Sequence, residues 1–341
     1  MAGNNKKRQS FSISGYIITT LNGMAYGFFC SLIVGVILSQ FGNFFKISEF
    51  IYWGEVAKNL MGPAIGIGIA YSIHATGISL IVALIAGAIG AGTFSGGMIN
   101  TGDPVCAYLA VLIAVEVAKM VQGKTPVDIL IVPLITIITS GIVVKFVGPY
   151  VGNGINYIGG LINQATVMQP LIMGLLVAVL MGMALTSPIS SAAIAIILGL
   201  DGITAGVAVA GCCTQMLGFM VMSIEDNDIG DVIAIGIGTS MLQFKNIVRR
   251  PIIWLPPIIA SAIVGMIASV VVKLEATPMG AGMGTAGFVG PLTIIEVMGN
   301  DYWIPMLIVV VVLPIVITYF IYHVFRRLNW IRKGDLKITR L

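Results

Sequence analysis

Between positions 146 and 200 the chain runs for 55 residues without an Asp, Glu, Lys or Arg. About 20 apolar residues in helical form are enough to cross the hydrocarbon core of a bilayer. Further uncharged stretches cover 9–45, 59–102, 202–224, 251–272 and 302–325. Soluble domains carry roughly a quarter of their residues as charges. Here the charged fraction is 9% and the hydrophobic fraction 57%, with a mean hydropathy of +1.02. A water-soluble fold cannot hide that much apolar surface, so the composition predicts an all-α, polytopic membrane protein.

The charges that remain report topology. Lys6, Lys7 and Arg8 precede the first apolar stretch, and Arg326, Arg327, Arg332, Lys333, Lys337 and Arg340 follow the last. The positive-inside rule then places both termini in the cytoplasm and requires an even number of crossings. The first apolar stretch is longer than a signal-peptide core and reads as a retained helix. This gives a cytoplasmic tail over 1–15, one transmembrane domain over 16–326 and a basic cytoplasmic tail over 327–341, neither tail long enough for a soluble domain. Apolar segments suggest crossings near 16–38, 62–90, 104–121, 127–147, 168–186, 203–223, 230–246, 251–273 and 302–325. That number is odd, so at least one of them is not a full crossing, and glycines at 62, 66, 68 and 77 suggest that 62–90 is two short elements. Segments 43–59 and 152–164 read as interfacial helices. The expectation is eight to ten transmembrane helices with one or two re-entrant hairpins.

The same inventory excludes several chemistries. The net charge of +4 comes from positives at the ends of apolar spans and is no nucleic-acid signal. Four cysteines lack the spacing of a disulfide framework or a zinc site, and two histidines are too few for a histidine-rich metal centre. No catalytic residue, metal or cofactor is expected. Residues 282–287 match G-x-G-x-x-G, yet no strand leads into them and no Rossmann unit surrounds them, so the nucleotide reading fails.

Candidate binding residues sit at polar breaks inside the apolar sequence. Three breaks share one grammar, a small polar residue followed by proline and a renewed helix: Asn100-Thr101-Gly102-Asp103-Pro104, Thr186-Ser187-Pro188-Ile189-Ser190-Ser191 and Thr277-Pro278. The polar residue suits an N-cap and the proline the first helical position. Helix starts inside a membrane expose N–H groups and a positive dipole end, which transporters use to hold polar or anionic solutes. For Asp103, capping and binding are equally good readings. Ser187, Ser190 and Ser191 are expected along one side of a half-helix, a hydroxyl cluster suited to a sugar or another polyol. The glycines of 280–287, among them Gly282 and Gly284 beside Thr285, suit close backbone approach to a ligand or close helix packing. Gln215, an amide inside a span, needs partners in substrate or in neighbouring helices, and Gln243, near the end of a Gly-rich helix, is a further candidate substrate contact. Glu116 and Lys119, three residues apart, are expected to pair with each other, and Arg249-Arg250 to mark a cytoplasmic boundary.

Taken in order, Asn-Thr-Gly-Asp-Pro (100–104), the Met-Gly-Met-Ala-Leu-Thr-Ser-Pro-Ile-Ser-Ser run (181–191), Gly-Cys-Cys-Thr-Gln (211–215), Gly-Thr-Ser-Met-Leu-Gln (238–243) and the 280–287 glycines resemble the enzyme IIC-like membrane family of the bacterial phosphotransferase system. More narrowly they resemble its branch labelled perfringolysin (toxin) regulators. The resemblance implies a sugar-translocating homodimer in a bacterial plasma membrane, with re-entrant hairpins around a small polar solute and a separate enzyme IIB protein as phosphate donor. Two alternatives stand beside it: a solute-binding membrane sensor that regulates gene expression, and an organic-anion transporter.

Overall fold

The computed structural model describes residues 13–95, 98–99 and 102–338. Its first pass is α1 (Ile13–Phe28) and α2 (Val34–Phe45), joined by a π-helical turn at Phe29–Ile33. The second is α3 (Ser48–Asn59) and α4 (Met61–Ser72), which runs back along the first. Gly54 of α3 lies against Gly35 and Ser39, and Gly68 of α4 against Gly23. Segment 43–59, expected to lie flat in the headgroups, is therefore the first half of a helical pass packed on α2. The face centred on Gly54 packs on the neighbouring helix, while Tyr52, Trp53 and Val56 stay exposed.

The stretch 62–90 is two antiparallel helices, α4 and α5 (Ile78–Ala91). His74 and Gly77, both with φ near +57°, make the reversal between them. Gly62 and Gly66 of α4 meet Gly87 and Ala83 of α5 so closely that a Cβ on either would overlap the opposing carbonyl. A short antiparallel pair, β1 (Phe94–Ser95) and β2 (Met98–Ile99), leads to α6 (Pro104–Val121). Next comes α7 (Asp128–Thr166), 39 residues long. At 1.5 Å per residue it measures about 58 Å, nearly twice a hydrocarbon core. Residues 152–164 are its continuation rather than a separate interfacial helix. Gly159, Ile162 and Ala165 form a buried stripe along that half, which its Gly- and Asn-rich composition alone does not foretell.

Beyond α7 the chain changes character. α8 (Pro170–Thr186) and α10 (Gly202–Met222) run parallel, since Gly182 faces Gly211 and Thr186 meets Gln215. The chain must therefore return between them, through the short α9 (Ser191–Ile197). Segment 168–186 is one arm of a re-entrant hairpin and not a crossing. A second hairpin contains α11 (Ile229–Ile233), a π turn at Ala234–Gly238, a 3-10 turn at Ser240–Gln243 and α12 (Phe244–Arg249). Its far end returns to Ser223, to which Gln243 Nε2 donates at 2.9 Å. The expected crossing 230–246 is thus a reversal as well.

A 3-10 turn, α13 (Leu255–Met266) and a π turn complete the span Pro251–Val272, antiparallel to α10. The third hairpin holds α14 (Pro278–Ala281) and α15 (Val289–Met298). It leaves and returns at one end of the bundle, where the Glu275 N–H donates to Met298 Sδ at 3.2 Å. The last pass is α16 (Trp303–Leu307) and α17 (Leu313–Arg327), joined by a π turn at Ile308–Val312. Among the described residues this makes eight end-to-end passes, α1–α2, α3–α4, α5, α6, α7, α10, α13 and α16–α17, with three hairpins. Among the described residues, six helices are long and apolar enough to cross a membrane. The chain is an all-helical, polytopic membrane protein.

Both described ends lie at one end of the bundle, termed basal here. Lys245 Nζ donates to Asn22 Oδ1 of α1 at 3.0 Å, and Gln243 Nε2 donates to the Leu336 carbonyl at 2.8 Å. Residues 328–338 fold back as a strap whose Ile331, Leu336 and Ile338 are buried beside Phe219 and Tyr322. Two larger apolar cores divide the remainder. One joins α1, α4, α5 and α6, and the other joins the end of α7 to α8, α9, α10 and the third hairpin.

Candidate functional site

The tips of the three hairpins meet in the interior. Thr186 Oγ1, at the end of α8, lies 2.8 Å from Ser240 Oγ of the second hairpin. Ser191 Oγ donates to the Gly282 carbonyl of the third at 2.6 Å. Thr285 Oγ1 of the third donates to the Gly236 carbonyl of the second at 2.5 Å. The last two bonds satisfy carbonyls in irregular turns, because backbone away from water needs partners. These contacts also seal apolar helices around a polar junction.

A small chamber of about 40 Å³ lies at this junction. Phe28, Leu32 and Ile33 line it from the first pass, at the π turn that widens that helix. Leu185, Ser190 and Ser191 come from the first hairpin, Gly238 and Thr239 from the second, Gly282 and Met283 from the third. A cavity of about 330 Å³ continues it away from the basal end and shares Leu32, Ser190, Ala192 and Met283. This larger part adds Gln40, Lys58 and Gly102. Lys58 is its one cation among the described lining residues, and it pairs with Glu55 at 2.5 Å. No group of three or more His, Cys, Asp or Glu gathers among the described residues to hold a metal.

The candidate residues separate by position. Asn100 and Thr101 lie outside the described residues. Asp103 caps α6, accepting from the Val105 and Cys106 N–H groups at 2.7 and 2.9 Å, with Pro104 as first helical residue. Capping fully occupies the oxygen that makes these bonds, and the neighbouring Gly102 reaches the cavity. The second break departs from the expected grammar. Ser187 ends α8 and returns its hydroxyl to the Met183 carbonyl at 2.8 Å. Pro188 falls in the turn, and Ser190 is the cap, accepting from Ala193 N–H at 3.3 Å. The three serines therefore do not share one face. At the third break Pro278 opens α14, but Thr277 makes no side-chain cap.

Gln215 is fully buried behind Thr186, where Oε1 accepts from Trp254 Nε1 at 3.0 Å and Nε2 donates to Ser261 Oγ at 3.4 Å. Gln243 lies at the basal end, tied to Ser223, Leu336 and Asn246. Gly282 lines the chamber, while Gly284, with φ of +55°, presses against Cys212. Glu116 and Lys119 pair at 3.0 Å, as their spacing predicts, and Tyr16 also donates to Glu116 at 2.7 Å. Arg250 pairs with Asp335 of the strap at 2.9 Å.

Sequence reasoning missed the contribution of Phe28, Leu32, Gln40 and Lys58. They belong to regular helices and carry no break to mark them. Gln40, a polar residue in an otherwise apolar stretch, is the one local hint among them.

No curated protein and no solved structure matches the chain. A family model described as Phosphotransferase system, EIIC matches residues 18–338. That match takes in the eight passes from residue 18 of α1 onward, the three hairpins and the junction between them. The chain belongs to the EIIC family of the phosphotransferase system and is a membrane permease component of that system.

Proposed function

We propose that the protein carries a sugar or sugar-like polar solute across a bacterial plasma membrane through the chamber at the hairpin junction. The observation that carries this reading is the meeting of three reversals around one cavity. Irregular backbone at membrane depth persists where protein buries it or where it lines a cavity. Broken helices around a central site are the means by which secondary transporters hold solutes.

The chemistry of the lining favours a neutral, hydroxyl-rich solute. Ser190, Ser191 and Thr239 offer hydroxyls, Gln40 an amide, and the glycine-bearing turns offer backbone groups. An organic anion would ask for an unpaired cation, and Lys58 already faces Glu55. Apolar Phe28, Leu32 and Met283 suit the faces of a sugar ring.

Movement follows from the two cores. The chamber lies between the α1–α6 core and the hairpin core, so displacement of one against the other exposes it to either side. The basal end gathers Lys119, Lys124, Arg249, Arg250, Arg326, Arg327, Arg332, Lys333 and Lys337, which supports a cytoplasmic basal side. A separate enzyme IIB protein would supply phosphate there, and the homodimer implied by the family belongs to the same proposal.

Radiolabelled uptake into proteoliposomes, with and without enclosed phosphotransferase proteins, tests the reading. Uptake of a neutral sugar is expected. Binding without flux would favour the sensor, and flux of carboxylates alone would defeat the sugar assignment.

A further inference from the structure

The central chamber continues away from the basal end, into the cavity of about 330 Å³. On its basal side stands the second hairpin, which brings Gly238 and Thr239 to the wall. Beyond that hairpin lies a separate cavity of about 440 Å³, lined in part by Asn246 of the returning arm and by Gly334 and Lys337 of the strap. The basal cavity shares no described lining residue with the chamber or its continuation. A solute leaving the chamber on the basal side must therefore pass the second hairpin.

The strap grips both feet of that hairpin. At the entering foot, Asp226 accepts from the Gly334 N–H at 2.8 Å through Oδ1 and from the Leu336 N–H at 3.1 Å through Oδ2. Asn227 accepts from the Ile338 N–H at 2.6 Å and donates to the Leu336 carbonyl at 2.8 Å. At the returning foot, Asn246 donates to the Lys337 carbonyl at 3.2 Å and Arg250 to the Trp330 carbonyl at 2.9 Å. Side chains of the hairpin thus hold the backbone of the strap, and the Asp226 bonds are charge-assisted. Ile331, Leu336 and Ile338 enter a core shared with Ala25 of α1, Phe219 of α10 and Ile235 of the hairpin. That core ties the two halves together at the basal end. Lifting the strap breaks these contacts without unravelling a transmembrane helix, and sub-global opening of that kind costs less than unfolding.

We propose that residues 328–338 are a latch on a basal gate. Seated, they hold the second hairpin shut; lifted, they let the chamber open into the basal cavity. Asp226 and Asn227 are the positioning residues of this latch, because they fix Thr239 at the chamber wall through the strap and not by touching the solute. The purpose of the gate rests on the transport reading, but its opening is read by access to the chamber and needs neither solute nor flux. Uptake with an unchanged gate would defeat the latch alone, and a gate that opens as expected without uptake would defeat transport alone.

The experiment places a reporter at the chamber wall, Thr239→Cys, in the full chain with exposed Cys30 replaced by Ser. A membrane-impermeant maleimide is then applied to inside-out vesicles, which present the basal side. Slow labelling is expected with the latch intact. Asp226→Ala is expected to raise the rate roughly ten-fold, and Asn227→Ala to raise it less. Asp226→Asn, which keeps one acceptor oxygen, is expected to restore most of the protection. Glu225→Gln, one residue away and paired with Arg326 of α17, is expected to leave the rate unchanged. Unchanged labelling in a folded Asp226→Ala protein, or an equal rise in Glu225→Gln, overturns the proposal. Should Asp226→Ala misfold, hydrogen exchange of the wild type decides: amides of 334–338 and 234–239 are expected to lose protection together. Hairpin amides that exchange while the strap stays protected would overturn the latch.

Discussion

The α1–α6 half and the hairpin half are built from the same small residues but use their hydroxyls differently. In the first half, Ser31 Oγ returns to the Gly27 carbonyl at 2.7 Å and Ser72 Oγ to the Ile69 carbonyl at 2.7 Å, each within its own helix. Thr20 bonds its own helix and also meets Tyr108 at 2.7 Å. In the hairpin half, Thr186, Ser191 and Thr285 reach partners 49 to 91 positions away in sequence. Glycines pack helices in both halves: Gly66 against Ala83 in one, Gly211 against Ala178 in the other. Glycine density therefore marks close packing throughout, whereas hydroxyls bonded between distant tips mark where the chain stops short and leaves a cavity.

The largest expected effect tests the shared part of that comparison. Gly66→Val places a side chain into the Ala83 carbonyl, a backbone atom that cannot turn aside. A cost of about 3 kcal/mol or more is expected, read as loss of monodisperse protein on size-exclusion chromatography. A well-behaved Gly66→Val protein would show that the first half is looser than its glycine contacts require. Gln215→Leu comes next, because it strands the Trp254 indole N–H and removes a partner of Thr186. About 1–3 kcal/mol of destabilisation is expected. Ser72→Ala, whose bond is local, is expected to stay well under that in the same thermal-melt assay.

Smaller effects should separate binding from stability. Thr285→Val cuts the tip-to-tip bond to Gly236, and solute affinity is expected to fall up to about ten-fold. Ser190→Ala removes a lining hydroxyl and a weak cap. A several-fold loss of affinity is expected, with melting lowered by no more than about 1 kcal/mol of cap energy. If Ser190→Ala bound every solute as the wild type does, the site would move towards the third hairpin tip.

Much of the fold was legible in charge-free runs. They locate the long helices, and local grammar locates the Asp103-Pro104 cap and the Glu116–Lys119 pair. Hairpins were harder, because 168–186 is as apolar as a true crossing and 230–246 opens on an apolar run of its own. Their reversal is set by contacts such as Gln243 with Leu336, 93 positions apart, which no local window contains. The same holds for the site. Ser190, Ser191 and Gly282 announced themselves at breaks, and they do meet at the chamber. Gln243, expected as a substrate contact, serves the strap instead, since a polar side chain in an apolar run reveals a demand for partners and not their address. Phe28 and Leu32 are ordinary helix residues until a π turn and three distant tips make them a wall.

The central claim is that solute passes between the hairpin tips, and Met283→Trp tests it most directly. Met283 lines both the small chamber and its larger continuation, so an indole there fills the route without touching the glycine contacts of the core. Sugar uptake into proteoliposomes should fall to the protein-free background while the melting temperature stays near that of the wild type. Unchanged uptake by a folded Met283→Trp protein would contradict the claim and place the route elsewhere in the bundle.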